Sequence, residues 1–166
     1  MIRSFALAAV LVSGCTRNRV PVPAETPERS ASATAEAISL ERTACFGRCP
    51  VYRITVTSAG DVTYEGKANV KLIGRATGEI SPDSVVSLLR ELEQAGYFTF
   101  SDRYVVSEPT CRRYTTDSPS AISSATFRSR SKRIEHDYGC GGVPGALTLL
   151  EQRIDDVLGS GRWTEK

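Results

Sequence analysis

Along 51–57, VYRITVT, Tyr52, Ile54 and Val56 share one face, while Arg53, Thr55 and Thr57 share the other. A period of two marks a strand with one side against a core and the other toward water. The alternation resumes in VTYEG, with Val62 and Tyr64 inward, and SAGD (58–61) separates the two runs. The segment therefore predicts a β-hairpin closed by a glycine-containing loop. ISLERT (38–43) predicts a strand before the hairpin, and NVKLIGRATGEI (69–80) predicts one after it.

At Ser81 the period changes. Ser81 is a good N-cap, Pro82 fits the first helical position, and Asp83 lies at the positive end of the helix dipole. Val85, Leu88, Leu89 and Leu92 then fall on one helical face, and Gly96 supplies the stop. Residues 101–120, with their charges, Pro109 and Pro119, predict a long loop. AISSATFRSR and KRIEHDY predict a second hairpin with RSRSK at its tip. After GCGGVPG, a final helix carries Leu147, Leu150, Ile154 and Val157 on one stripe. Strands, helix, hairpin and helix in that order define the α+β class. The expected architecture is an antiparallel sheet of about five or six strands with two helices packed on one face.

The N-terminus has no such period. MIRSFALAAVLVSGC places Arg3 before an apolar run too short to span a bilayer, with small residues ahead of Cys15. Val12-Ser13-Gly14-Cys15 resembles the lipobox of bacterial lipoproteins, in which the cysteine is acylated and becomes the first mature residue. Residues 1–14 are then a signal peptide. Residues 15–37, rich in Pro, Ala, Ser, Thr and charge, are an acylated cysteine and flexible tether. Residues 38–162 suit one domain. Thr16 follows the cysteine instead of Asp, so the expected location is the outer membrane of a Gram-negative cell, facing the periplasm. The membrane is then a partner through the lipid on Cys15.

Loss of residues 1–14 leaves 20 basic and 19 acidic residues, a net charge of +1. That balance gives no reason to expect nucleic acid as a partner. Arg128, Arg130, Lys132 and Arg133 form a local basic patch; a charged hairpin tip is usually just solvated, and contact with anionic lipid or lipopolysaccharide is the alternative.

An exported chain changes the meaning of the four domain cysteines, Cys45, Cys49, Cys111 and Cys140. An even count there points to disulfides. Extended chain would hold Cys45 and Cys49 about 13 Å apart, whereas a bridge needs Cα atoms about 4.4–6.8 Å apart. Gly47 permits the turn. The expected pairing is Cys45–Cys49 with Cys111–Cys140, the crossed pairings remaining open. A redox centre fits less well, because three residues intervene and Pro50 leads into a strand instead of a helix N-terminus. A four-cysteine zinc site fits least. His136, the sole histidine, shares a strand face with Ile134 and Tyr138, the inward one. A hydrogen-bonded core histidine is the plain reading. The candidate polar site around it is His136, Asp117 and Tyr138, which Tyr114 and Glu135 could join, though no spacing links them. No G-x-S-x-G, HExxH or P-loop pattern is present, and no cofactor or metal is implied.

Cys45-Phe46-Gly47-Arg48-Cys49-Pro50-Val51-Tyr52 and Val62-Thr63-Tyr64-Glu65-Gly66 resemble the opening of a bacterial family, domain of unknown function 6438. Ile80-Ser81-Pro82, Ala95-Gly96-Tyr97-Phe98, Thr116-Asp117-Ser118-Pro119, His136-Asp137-Tyr138-Gly139, Leu150-Glu151 and Ile154-Asp155 follow in the same order. The resemblance spans about Ile38 to Leu158. It implies a bacterial, often exported or lipid-anchored protein and no assigned activity, with Cys111 and Cys140 additional to the family pattern. The expected function is a non-enzymatic binding or structural module with an envelope protein or glycan as partner. The alternative is an enzyme or thiol-redox factor using His136 or the Cys45/Cys49 pair.

Overall fold

The computed structural model describes residues 36–165. The expected signal peptide, Cys15 and the expected tether up to residue 35 lie outside the described residues. Strands β1 (Glu36–Arg42), β2 (Val51–Thr57), β3 (Asp61–Ala68) and β4 (Gly74–Glu79) come first, then helix α1 (Pro82–Gln94) and a 3-10 turn (Tyr97–Thr99). Strands β5 (Arg103–Tyr104), β6 (Arg113–Tyr114), β7 (Ser120–Phe127), β8 (Arg130–Asp137) and β9 (Cys140–Gly141) follow, and α2 (Gly145–Leu158) and α3 (Gly161–Thr164) close the domain.

Seven strands form one sheet in the order β4-β3-β2-β1-β7-β8-β5, and β6 pairs with β9 in a separate ribbon. The class is α+β, as expected, but strands and helices are more numerous than the sequence pattern predicts. The sheet is antiparallel except where β5 runs parallel to β8. Residues 101–120 are not all loop, since β5 and β6 lie within them. The strand expected over 69–80 begins only at Gly74, because Asn69 turns the chain with φ 55°. The first strand starts at Glu36, two residues before the expected boundary. The RSRSK tip shrinks to a turn at Arg128 and Ser129, which leaves Arg130 and Lys132 in β8.

Pairing register brings the inward residues into rows across the sheet. Tyr64, Ile54, Leu40, Ser123 and Ile134 are successive cross-strand partners, and all five are fully buried. Helix α1 begins as its sequence dictates, with Ser81 Oγ accepting from the Ser84 amide at 3.1 Å. Its predicted face, Val85, Leu88, Leu89 and Leu92, is buried. Helix α1 contacts β7, α2 contacts β1 and β2, and the helices touch each other. Each large apolar side chain so enclosed contributes about 1.5–3 kcal/mol. On α2 the stripe is Leu147, Leu150, Ile154 and Leu158, with Val157 half-buried at its edge. One residue on that stripe is not apolar: Glu151 is also buried.

Candidate functional site

One cross-strand row differs from the rest. Tyr52 pairs with Arg42, Arg42 with Ala121, Ala121 with His136, and His136 with Tyr104. The row lies toward the end of the sheet where β1 leaves and β2 enters. Helix α2 crosses above it, presenting Glu151 and, one turn on, Asp155.

The contacts form a continuous chain. Tyr52 donates to Asp155 Oδ1 at 2.5 Å. Arg42 donates through Nε and Nη2 to Asp155 Oδ2 at 3.1 and 2.8 Å, and through Nη1 to the Tyr138 hydroxyl. Tyr138 in turn donates to Glu151 Oε2 at 2.7 Å. His136 Nδ1 lies 3.0 Å from that same oxygen. The path from Tyr52 to His136 thus joins β1, β2, β8 and α2 through partners far apart in sequence.

Burial sets the electrostatics. Desolvation alone would lower the Arg42 guanidinium, but the facing Asp155 and Tyr138 outweigh it and hold it above its ordinary value. Burial, then the charge of Glu151, pushes the Tyr138 phenol up. Burial and Asp155 do the same to Tyr52. Both phenols therefore remain donors at neutral pH. His136 is 2% exposed and Glu151 fully buried, so this end of the network is closed to solvent.

The other end opens. A cavity of about 260 Å³ is lined by Arg42, Tyr52, Tyr138 and Asp155 on one side and by Cys49, Pro50 and Pro119 on the other. Cys49, which lines it, is bridged to Cys45, with Cα atoms 5.7 Å apart. Between those cysteines the Gly47 amide donates to the Cys45 carbonyl at 2.9 Å. Gly47 has φ 153°, a conformation that favours glycine. The loop so pinched presents Phe46, 88% exposed, and an exposed Arg48. Cys111 and Cys140 form the second disulfide, with Cα atoms 4.9 Å apart, beside the β6–β9 ribbon.

Of the three residues picked from sequence for a polar site, the structure brings His136 and Tyr138 together, their ring centroids 4.4 Å apart. Asp117 stays apart. It is exposed, its carboxylate accepts from Thr116, and its carbonyl accepts the Phe46 amide at 3.1 Å. Its place is as a prop for the stapled loop. Glu135 points outward to Arg103, and Tyr114 faces Asp137. The basic patch is largely neutralised, since Arg128 and Arg130 meet Glu93 and Lys132 meets Asp102. Glu151, Asp155 and Arg42 were missed. Their signal was a charge at an inward position: Glu151 on the Leu147–Leu150–Ile154 stripe, and Arg42 in phase with Ile38 and Leu40.

Among the described residues, no group of three or more His, Cys, Asp and Glu is placed to hold a metal ion. No helix among them is long and apolar enough to cross a membrane.

Fold and site together define a disulfide-stapled α+β domain in which one helix roofs a charged network on an open sheet. Residues 36–158 match the family described as Domain of unknown function (DUF6438), and the chain belongs to that family. No curated protein matches the chain.

Proposed function

We propose that the protein is an exported binding module, held by lipid on Cys15 to the outer membrane and facing the periplasm, which engages its partner at the mouth beside the stapled loop. One observation carries this reading. Phe46 stands almost wholly exposed at the tip of a loop closed by a disulfide, next to a cavity walled by Arg42 and Tyr138. Aromatic side chains are favoured as anchors at binding surfaces, and a pre-ordered loop loses little entropy on binding. The lipobox-like Val12-Ser13-Gly14-Cys15 and the stretch that follows support the anchor and tether.

The enzyme alternative draws less support. His136 is buried and hydrogen-bonded to Glu151, and Cys45 and Cys49 are joined to each other.

The test is site-specific photocrosslinking in intact cells. A benzophenone side chain at position 46 should give a discrete adduct, and the same group at Thr77, exposed on β4, should not. Equal, diffuse labelling from both positions would remove the case for this mouth.

A further inference from the structure

The cavity beside the staple has a neighbour. A second hollow of about 560 Å³ lies at the C-terminal end of α2, and Tyr52 and Asp155 line both. The hydrogen-bonded Tyr52–Asp155 pair is therefore a low wall between two hollows, not the floor of one. A ligand filling both must be elongated and must cross a charged pair.

The chemistry of the two compartments narrows what that ligand is. The first hollow combines weakly polar surfaces, Pro50, Pro119 and Cys49, with the Arg42–Asp155 pair. The second is lined mostly by polar and charged side chains, among them Gln152, Asp156, Ser160, Arg162 and Thr164. Arg42 has five N–H donors, and its contacts among the described residues engage three, two to Asp155 and one to Tyr138. Asp155 Oδ1 accepts only from Tyr52 there. The pair thus keeps donor and acceptor capacity beyond its own contacts. A hydroxyl accepts from an N–H and donates to a carboxylate through the same oxygen, so it satisfies both without breaking the pair. Simple ions fit poorly. Asp155, Asp156 and Glu165 border the hollows against Arg42 and Arg162. Arg162 is turned to the Leu158 and Gly159 carbonyls at the end of α2, so an anion meets excess negative charge. A cation meets the Arg42 guanidinium at the wall. The first hollow also falls below the roughly 300–1,000 Å³ of drug-sized sites, which suits a single small ring.

We propose that the double hollow binds a neutral oligosaccharide, one ring against Pro50 and Pro119, the next over the α2 terminus, with their hydroxyls on the Arg42–Asp155 wall. This rests on the reading of the domain as a binding module and gives that module a ligand class.

The test uses the full-length chain in a detergent without a sugar headgroup. Saturation-transfer NMR and titration calorimetry are run with chitotetraose and maltotetraose as neutral probes, trigalacturonate as the anion and spermidine as the cation. At least one neutral tetrasaccharide should bind with Kd at or below about 1 mM. Gln152→Ala combined with Asp156→Ala, both at exposed positions, should weaken it about tenfold while leaving Tm unchanged. Absence of neutral-sugar binding at 10 mM probe (about tenfold above that Kd), tighter binding of trigalacturonate or spermidine, or an unaltered Kd in the double variant each overturns the saccharide assignment. A discrete position-46 adduct alongside a negative sugar titration would leave the binding module standing and remove only its ligand.

Discussion

Replacing Arg42 by Met keeps the length of the side chain and deletes its charge. Asp155 then loses two hydrogen bonds and its counter-ion, and Tyr138 loses a donor. The two side chains are 14% and 18% exposed, so the stranded carboxylate is only partly relieved by water. Breaking a fully buried pair costs about 3–5 kcal/mol. The residual exposure places this one at the lower end, about 3 kcal/mol. For a domain of this size that lowers Tm by about 10 °C. The matched double variant, Arg42→Met with Asp155→Leu, removes both charges and should recover about 2 kcal/mol of the loss. Urea unfolding followed by Trp163 fluorescence measures all four corners of the cycle. A single-variant loss under about 1 kcal/mol, or strictly additive effects, would refute the claim that these groups act as one unit.

Three further outcomes follow from the same structure and sequence. Cys15→Ser should move the protein from the membrane fraction to the soluble periplasmic one; unchanged fractionation would contradict the anchor. Above pH 10 stability should fall, because the raised phenols of Tyr52, Tyr97 and Tyr138 keep protons that the unfolded chain releases near the ordinary value of 10.0. The sign is negative and the slope about 1.4 kcal/mol per pH unit for each; Tyr138→Phe should flatten the loss of Tm between pH 9 and 11 by one such share, and an unchanged slope would refute the assignment. Arg128 and Ser129 occupy the β7–β8 turn at φ 48° and 63°, where non-glycine residues lose about 1–2 kcal/mol each. Arg128→Asn with Ser129→Gly should therefore raise stability by about 1 kcal/mol after loss of the exposed Glu93 contact, and a lower Tm would refute the turn.

Sequence periodicity reached the parts of this domain whose determinants are local. Strand β2 was legible because Tyr52, Ile54 and Val56 alternate with polar residues, and α1 because Ser81 caps a four-residue apolar face. Strands β5 and β6 were not, since two residues cannot display a period and their pairing is imposed by β8 and β9. The central place of β1 was also hidden, because neighbours in a sheet are chosen by the whole chain. In the site, the bridge within 45–49 was legible from Gly47 and the short spacing. The network was half legible. His136 and Tyr138 follow from strand phase, whereas their partner Glu151 lies beside the predicted apolar stripe as a lone charge, and helical period alone does not say whether such a charge is buried or at the rim. Asp117 was drawn in by residue type alone, and its loop conformation, φ 69°, carries it away from the histidine.

The central proposal is an exported chain whose binding mouth is fixed by its own staple. Tryptic digestion of the membrane fraction, alkylated and left unreduced, tests that directly. Cleavage after Arg42, Arg48 and Arg53 separates the two cysteines. The predicted spectrum contains peptide 43–48 joined to 49–53, peptide 104–112 joined to 134–153, and an acylated N-terminal peptide beginning at Cys15. Peptide 43–48 joined to 104–112 or to 134–153, or alkylated free thiols at Cys45 and Cys49, would contradict it.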